Sequence, residues 1–186
     1  MRRSIAMALV AALPCAAHAD DALWERLKNG ENLVVLMRHT ESTGGHPLAW
    51  DESGRCKGEL VLTGKGKAHA RRIGTAFASR GIVPVVISSP MCRCLQTARE
   101  AFGTPPLSDP DLREVQSADA ARAKAYEAKA LSLIAGHRGK APVVFVSHRP
   151  NIDRLTMELI ADGELLVGEA NERGEIEVLG RIVVEP

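Results

Sequence analysis

Three stretches of this sequence put a guanidinium or an imidazole at or just beyond the end of an apolar run. Residues 34–37 lead into Arg38 and His39, residues 84–87 lead through Ser89 and Pro90 to Arg93, and residues 142–147 lead into His148. A permanent cation beside a titratable ring has two readings. The plain one is an ion-paired strand end. The sharper one is an anion site with a nucleophile in it. A neutral imidazole can attack an electrophilic centre while fixed cations hold the charge that develops. Arginine suits a phosphate-like dianion because its planar fork offers paired donors.

The elements needed to bring these residues together can be read from the same chain. Residues 34–37, 84–87 and 142–147 are apolar without polar alternation, the pattern of strands buried on both faces. Open α/β sheets place their binding crevices at the carboxyl ends of such strands. Neighbouring parallel strands therefore bring Arg38, His39, Arg93 and His148 to one sheet edge. Helices are expected over 21–28, from a Thr63 cap to about residue 80, over 90–102, over 117–136 and over 150–161. Ala70, Ile73, Ala76 and Phe77 form the apolar stripe of the second, and Gly81 ends it. Ser89 is expected to cap the third, with Pro90 at its first position. Arg93 would then lie one turn in and lean back toward the helix start, where free N–H groups favour an anion. Residues 43–59 read as a long loop over the crevice, and 104–111, with three prolines, as irregular. Strands over 165–167, 175–179 and 181–184 complete the chain. The alternation of strand and helix predicts a three-layer αβα sandwich with a mostly parallel central sheet.

The ends of the chain and its composition narrow the setting. The basic start, a short apolar stretch over 5–13 and Ala17-His18-Ala19 form a secretory signal peptide over residues 1–19, leaving one domain over 20–186. Loss of Arg2 and Arg3 takes the 24 basic residues to 22, against 23 acidic. With no basic patch interleaved with aromatics, nucleic acid is not an expected partner. No later segment is apolar enough to span a membrane. Three cysteines follow the cleavage point. Cys56 pairs with Cys92 or Cys94, or all three stay unpaired. Cysteine and histidine spacings give no metal signature. His69 reads as exposed on its helix, His137 as a helix-end histidine and His46 as a solvated loop residue. Oligomeric state is not legible.

Taken together, "LMRHTES", "LTGKGKAHARRIG", "SSPMCRCLQTA" and "VSHRPNI" resemble the histidine phosphatase superfamily, also called phosphoglycerate mutase-like. The resemblance runs through nearly the whole mature chain and in the family's order. It implies that His39 is the nucleophile that becomes phosphohistidine, and that Arg38, Arg93 and His148 hold the phosphoryl oxygens. It implies no cofactor and no metal. The general acid is Glu114, in the "LRE" stretch, or Glu41. The aspartate that some relatives carry directly after the second histidine is absent, since Arg149 stands there, and some small relatives have no obvious acid. Thr40 replaces a glycine usual in the family, so its hydroxyl bonds the phosphate or only fills space. Asn151 contacts substrate or orients a loop. Arg149 reads as a surface residue beside a helix start, with a second anionic group on the substrate as its other reading.

The function so implied is that of an exported, periplasmic, metal-independent phosphomonoesterase acting on a small phosphorylated substrate, with phosphorylated cell-envelope sugars as one class. A phosphohistidine protein phosphatase is the alternative, and a non-catalytic phosphate-binding protein on the same fold is the rival from another class. A mutase fits poorly with export.

Overall fold

The computed structural model describes residues 16–116 and 118–186. Nearly all of the expected signal peptide lies outside them. The order of elements is α1 (Ala16–Asn29), β1 (Leu33–Arg38), β2 (Ser42–Thr43), β3 (Val61–Leu62), α2 (Gly64–Ala78), β4 (Val85–Ser88), α3 (Cys92–Phe102), β5 (Leu107–Ser108), α4 (Ala120–Gly136), β6 (Val143–Ser147), α5 (Arg149–Thr156), β7 (Leu165–Ala170) and β8 (Ile176–Ile182). Six strands form one sheet in the order β5-β4-β6-β1-β7-β8. The first four are parallel, and β7 and β8 add an antiparallel flank.

Strand β1 shows why its sequence is unbroken by polar residues. Leu33, Val35 and Met37 pack with Trp24, Leu27, Ile73, Phe77 and Ala98 from α1, α2 and α3. Val34 and Leu36 pack on the other face with Tyr126, Ala130, Ile134 and Ile152 from α4 and α5. A strand covered on both faces has no position left for a solvated side chain. The result is the expected three-layer sandwich. Among the described residues no helix is long and apolar enough to cross a membrane.

Two glycines explain part of the second motif. A Cβ on Gly66 would lie 2.1 Å from the carbonyl oxygen of Glu41, and one on Gly74 only 1.8 Å from that of Ala101. The first lets α2 press against the segment that follows His39, and the second lets α2 and α3 approach closely. Thr63 caps α2 as expected, its hydroxyl accepting from Gly66 N at 2.9 Å.

Several boundaries differ from expectation. Helix α3 begins at Cys92, with Met91 rather than Ser89 at its cap. Helix α4 begins at Ala120, where the Asp119 carboxylate accepts from Arg122 N; Ser117 lies outside the described residues. Helix α5 stops at Thr156 because Met157 turns left-handed, with φ of 59°. The two strands expected over 175–179 and 181–184 are one, with a shift in its pairing to β7 at Leu179, beside Gly180. Within 104–111, Leu107 and Ser108 pair with the end of β4, and a 3-10 turn covers Pro110–Leu112. The 43–59 loop has some order, since its ends pair through β2 and β3 and through a His46–Glu59 bridge. His69 is buried, not exposed, and its Nε2 lies 2.7 Å from the Val184 carbonyl. Cys56 is bonded to Cys92, and Cys94 is free and buried.

Candidate active site

Strand register sets the site. Arg38 pairs with Ser147 at the ends of β1 and β6, so His39 and His148 follow side by side. On the other side of β6, Ser89 follows β4, and its N–H donates to the Val146 carbonyl at 3.0 Å. Three strand ends thus finish nearly flush, and their rings meet. His39 and His148 stand edge to face with centroids 5.6 Å apart.

His39 is 7% exposed, and its Nδ1 lies 2.9 Å from the carbonyl oxygen of Thr40. A carbonyl only accepts, so Nδ1 carries the hydrogen and Nε2 keeps its lone pair. Burial pulls the ring pKa down from 6.5 to about 3. The Thr40 carbonyl opposes the shift, and the charges of Arg93 and Arg38 add to it. His39 is therefore neutral at ordinary pH. His148 is fully buried, and its pKa is also held well below 6.5, by burial first and then by Arg93, His39 and Arg38. Its Nε2 is 2.7 Å from the Ser89 hydroxyl, and the Cys94 thiol lies 3.6 Å from the same nitrogen.

Arg93 is 1% exposed. Its Nη2 donates to the Pro47 carbonyl at 3.0 Å and to the Glu114 carboxylate. Its Nε and Nη1, and the Nε of Arg38, are buried with no partner among the described residues. Unpaired buried donors are costly, so three on two guanidinium groups mark a place built for a strong acceptor. Arg38 is held from outside, by Asp162 at 2.9 Å and more weakly by the Ile160 carbonyl at 3.5 Å.

Glu114 follows the 3-10 turn, and its carboxylate lies 3.9 Å from His148 Nδ1. Burial raises its pKa above the ordinary carboxyl value, and Arg93 and Arg38 oppose the rise. Asn151 grips the chain on both sides of it. Its Oδ1 accepts from Val115 N at 2.9 Å, and its Nδ2 donates to the Arg113 carbonyl at 3.0 Å. Asn151 is fully buried with its amide so used, the arrangement of a residue that orients the loop carrying Glu114.

Two other expected residues point elsewhere. The Thr40 N–H and hydroxyl lie 3.2 and 3.3 Å from the hydroxyl of Thr97 on α3. Glu41 is exposed and accepts from the Thr63 hydroxyl at 2.5 Å, so its carboxylate serves the start of α2. Arg149 is exposed, as expected.

The helix start was expected to hold the anion, but it already has one. Buried Glu59 accepts from Cys92 N and from Asp51 N, both at 2.7 Å. This carboxylate was missed because nothing in a Gly- and charge-rich loop separates it from its solvated neighbours. Ser89 was noticed only as a cap, whereas its hydroxyl faces His148. Among the described residues no group of three or more His, Cys, Asp or Glu side chains is placed to share a metal ion.

A family model described as histidine phosphatase superfamily (branch 1) matches residues 34–132. The chain belongs to the histidine phosphatase superfamily. The match spans Arg38, His39, Arg93 and Glu114, while His148 lies beyond it and joins them through the register of β6. By family this histidine phosphatase is a phosphatase enzyme. Its fold is similar to that of a protein histidine phosphatase, SixA, complexed with tungstate, at 20% identity and a TM-score of 0.54, over 81% of this chain and 96% of the other. It is also similar to a phosphoserine phosphatase from Entamoeba histolytica in complex with 3-phosphoglyceric acid, at 14% identity and a TM-score of 0.55, over 82% and 98%. A mycobacterial glucosyl-3-phosphoglycerate phosphatase gives 16% and 0.55, over 80% and 96%. At these identities the likeness is one of fold. Comparison with curated protein sequences finds no match.

Proposed function

We propose that this histidine phosphatase is an exported, metal-independent phosphomonoesterase that works through a phosphohistidine on His39, with phosphorylated cell-envelope sugars as its substrate class. The observation that carries the mechanism is the orientation of His39. Its Nδ1–H is tied to the Thr40 carbonyl, which leaves the Nε2 lone pair for phosphorus.

In the first step Nε2 attacks phosphorus, and the bond to the ester oxygen breaks. Protonated Glu114 gives its proton to that oxygen, and the alcohol leaves. Charge spread over the three remaining phosphoryl oxygens meets the open donors of Arg93 and Arg38. His148 adds a ring nitrogen, and its neutral state lets it share a proton with the anion. In the second step water attacks the phosphohistidine, the Glu114 carboxylate takes a proton from it, and phosphate departs with His39 neutral again. Two arginines supply the positive field that a metal would otherwise provide.

Export is supported by the Cys56–Cys92 bond, which persists in an oxidising compartment, and by the signal-like start of the sequence. The decisive experiment assays mature protein on p-nitrophenyl phosphate with a chelator present, beside His39→Ala, and traps the intermediate with a radiolabelled phosphoryl donor. Turnover and an acid-labile label in the wild type, both lost in the variant, are expected. Saturable phosphate binding without turnover or label would make the protein a binder instead.

A further inference from the structure

One cleft on the Glu114 side carries two arginines that the hydrolytic steps do not use. Its walls are Leu48, Met91, Arg113, Glu114, Gln116, Asp119 and Arg122, and its volume is about 170 Å³. It shares Glu114 with the reaction centre. Glu114 forms its inner wall and bonds Arg93, and the Met91 sulfur lies 3.8 Å from Arg93 Nη2 and 3.4 Å from Glu114 N. The acid that protonates the leaving oxygen must face it. The alcohol attached to that oxygen therefore projects toward this cleft.

Two cations stand there. Arg113 stacks on Trp50, its Cζ 4.0 Å from the ring centroid, and its Nε donates to the Pro110 carbonyl at 2.9 Å. The stack and that bond fix the guanidinium plane and leave its two Nη groups as donors. Arg122 reaches the same Pro110 carbonyl at 3.5 Å, which draws the two like charges together. Among the described residues neither forms an ion pair. Burial lowers the Arg113 pKa, and the nearby Arg122 charge lowers it further, against the weaker pull of Asp111 and Glu52.

The carboxylates of the cleft are already engaged. Glu114 is paired with Arg93, and Asp119 accepts from Arg122 N at the head of α4. The stack and the shared Pro110 carbonyl hold both guanidinium groups at the mouth of the cleft.

We propose, resting on the phosphomonoesterase reading above, that Arg113 and Arg122 form a subsite for a second anionic group on the alcohol part of the substrate. The substrate is then a phosphorylated acid or a bisphosphate, such as an acidic sugar phosphate, and not a neutral sugar monophosphate. A carboxylate or a second phosphate satisfies the same pair of forks.

The test compares kcat/KM for glucose 6-phosphate, 6-phosphogluconate and fructose 1,6-bisphosphate, with p-nitrophenyl phosphate as the reference, in wild type and in Arg113→Gln/Arg122→Gln. Wild type should favour at least one acid-bearing ester over glucose 6-phosphate by tenfold or more. Which ester it favours separates a carboxylate from a phosphate. In the double variant that ratio should fall toward one. Taking the ratio within each protein removes any general loss of activity, and circular dichroism shows whether the variant is folded. Aryl phosphate turnover with no acid preference, or a preference that survives the double substitution, overturns the subsite alone. Absence of turnover on every ester, with no phosphohistidine label, overturns the hydrolytic reading and the subsite with it.

Discussion

His39 is kept neutral by burial, and that has a thermodynamic consequence. Its folded pKa is about 3 against 6.5 when exposed. Between those values the unfolded chain binds a proton that the folded chain refuses. Stability is therefore fully present above pH 6.5 and falls as the pH drops toward 3. His148 acts in the same direction. Chemical denaturation at pH 7 and pH 4 should show a loss of a few kcal/mol on acidification. His39→Asn should flatten that slope, and an unchanged slope would mean that His39 titrates normally. Glu114 is shifted the other way, so it holds its proton to higher pH than an ordinary carboxyl. Glu114→Gln cannot donate a proton to a poor leaving group. It should lower kcat on an alkyl phosphate by roughly 10²-fold or more, and by much less on p-nitrophenyl phosphate. Equal losses on both esters would assign Glu114 to positioning of Arg93.

At the scale of elements, most of what positions the nucleophile was legible. The apolar runs of β1, β4 and β6 announced strands, because a strand covered by helices on both faces must be apolar throughout. Thr63 announced the start of α2, because its hydroxyl takes an N–H that the helix leaves open. Contacts made across the loop were not legible. The Ser89-Pro90 signal placed α3 two residues early. The N–H of Cys92 is satisfied by Glu59, a residue 33 positions away with no local signature. Asn151 was ambiguous for the same reason, since its partners Arg113 and Val115 belong to a distant turn. The close approach of α2 to α3 gives a direct test. Gly74→Ala puts a methyl group 1.8 Å from the Ala101 carbonyl, so the helices must separate. A loss of about 1–3 kcal/mol is expected in equilibrium unfolding. Gly64→Ala has no atom within 4 Å to meet and serves as the control.

At the scale of the whole molecule, the Cys56–Cys92 bond ties the loop over the site to the start of the helix that carries Arg93. By chain entropy a bond closing a loop of this length contributes about 3–4 kcal/mol. Its reduction also frees the loop whose Pro47 carbonyl holds Arg93 Nη2. Treatment with dithiothreitol should lower both the melting temperature and kcat, and Cys56→Ser should reproduce the two effects without reductant. Full activity in reductant, once thiol titration shows the bond open, would make it a stabiliser remote from catalysis.

That bond also changes what a protease can do to the chain. Residues 56–92 form a covalent ring that contains α2 and β4, with His39 attached on one side and Arg93 on the other. A single cut in the turn after Arg80, where Gly81 and Val83 are exposed, yields two polypeptides on a reducing gel and one on a non-reducing gel. The nucleophile and its arginine stay on the same molecule after such a nick, so they can come back together without meeting as strangers in solution. A cut between residues 44 and 55 falls outside the ring, and nothing covalent then joins His39 and Arg38 to Arg93, Glu114 and His148.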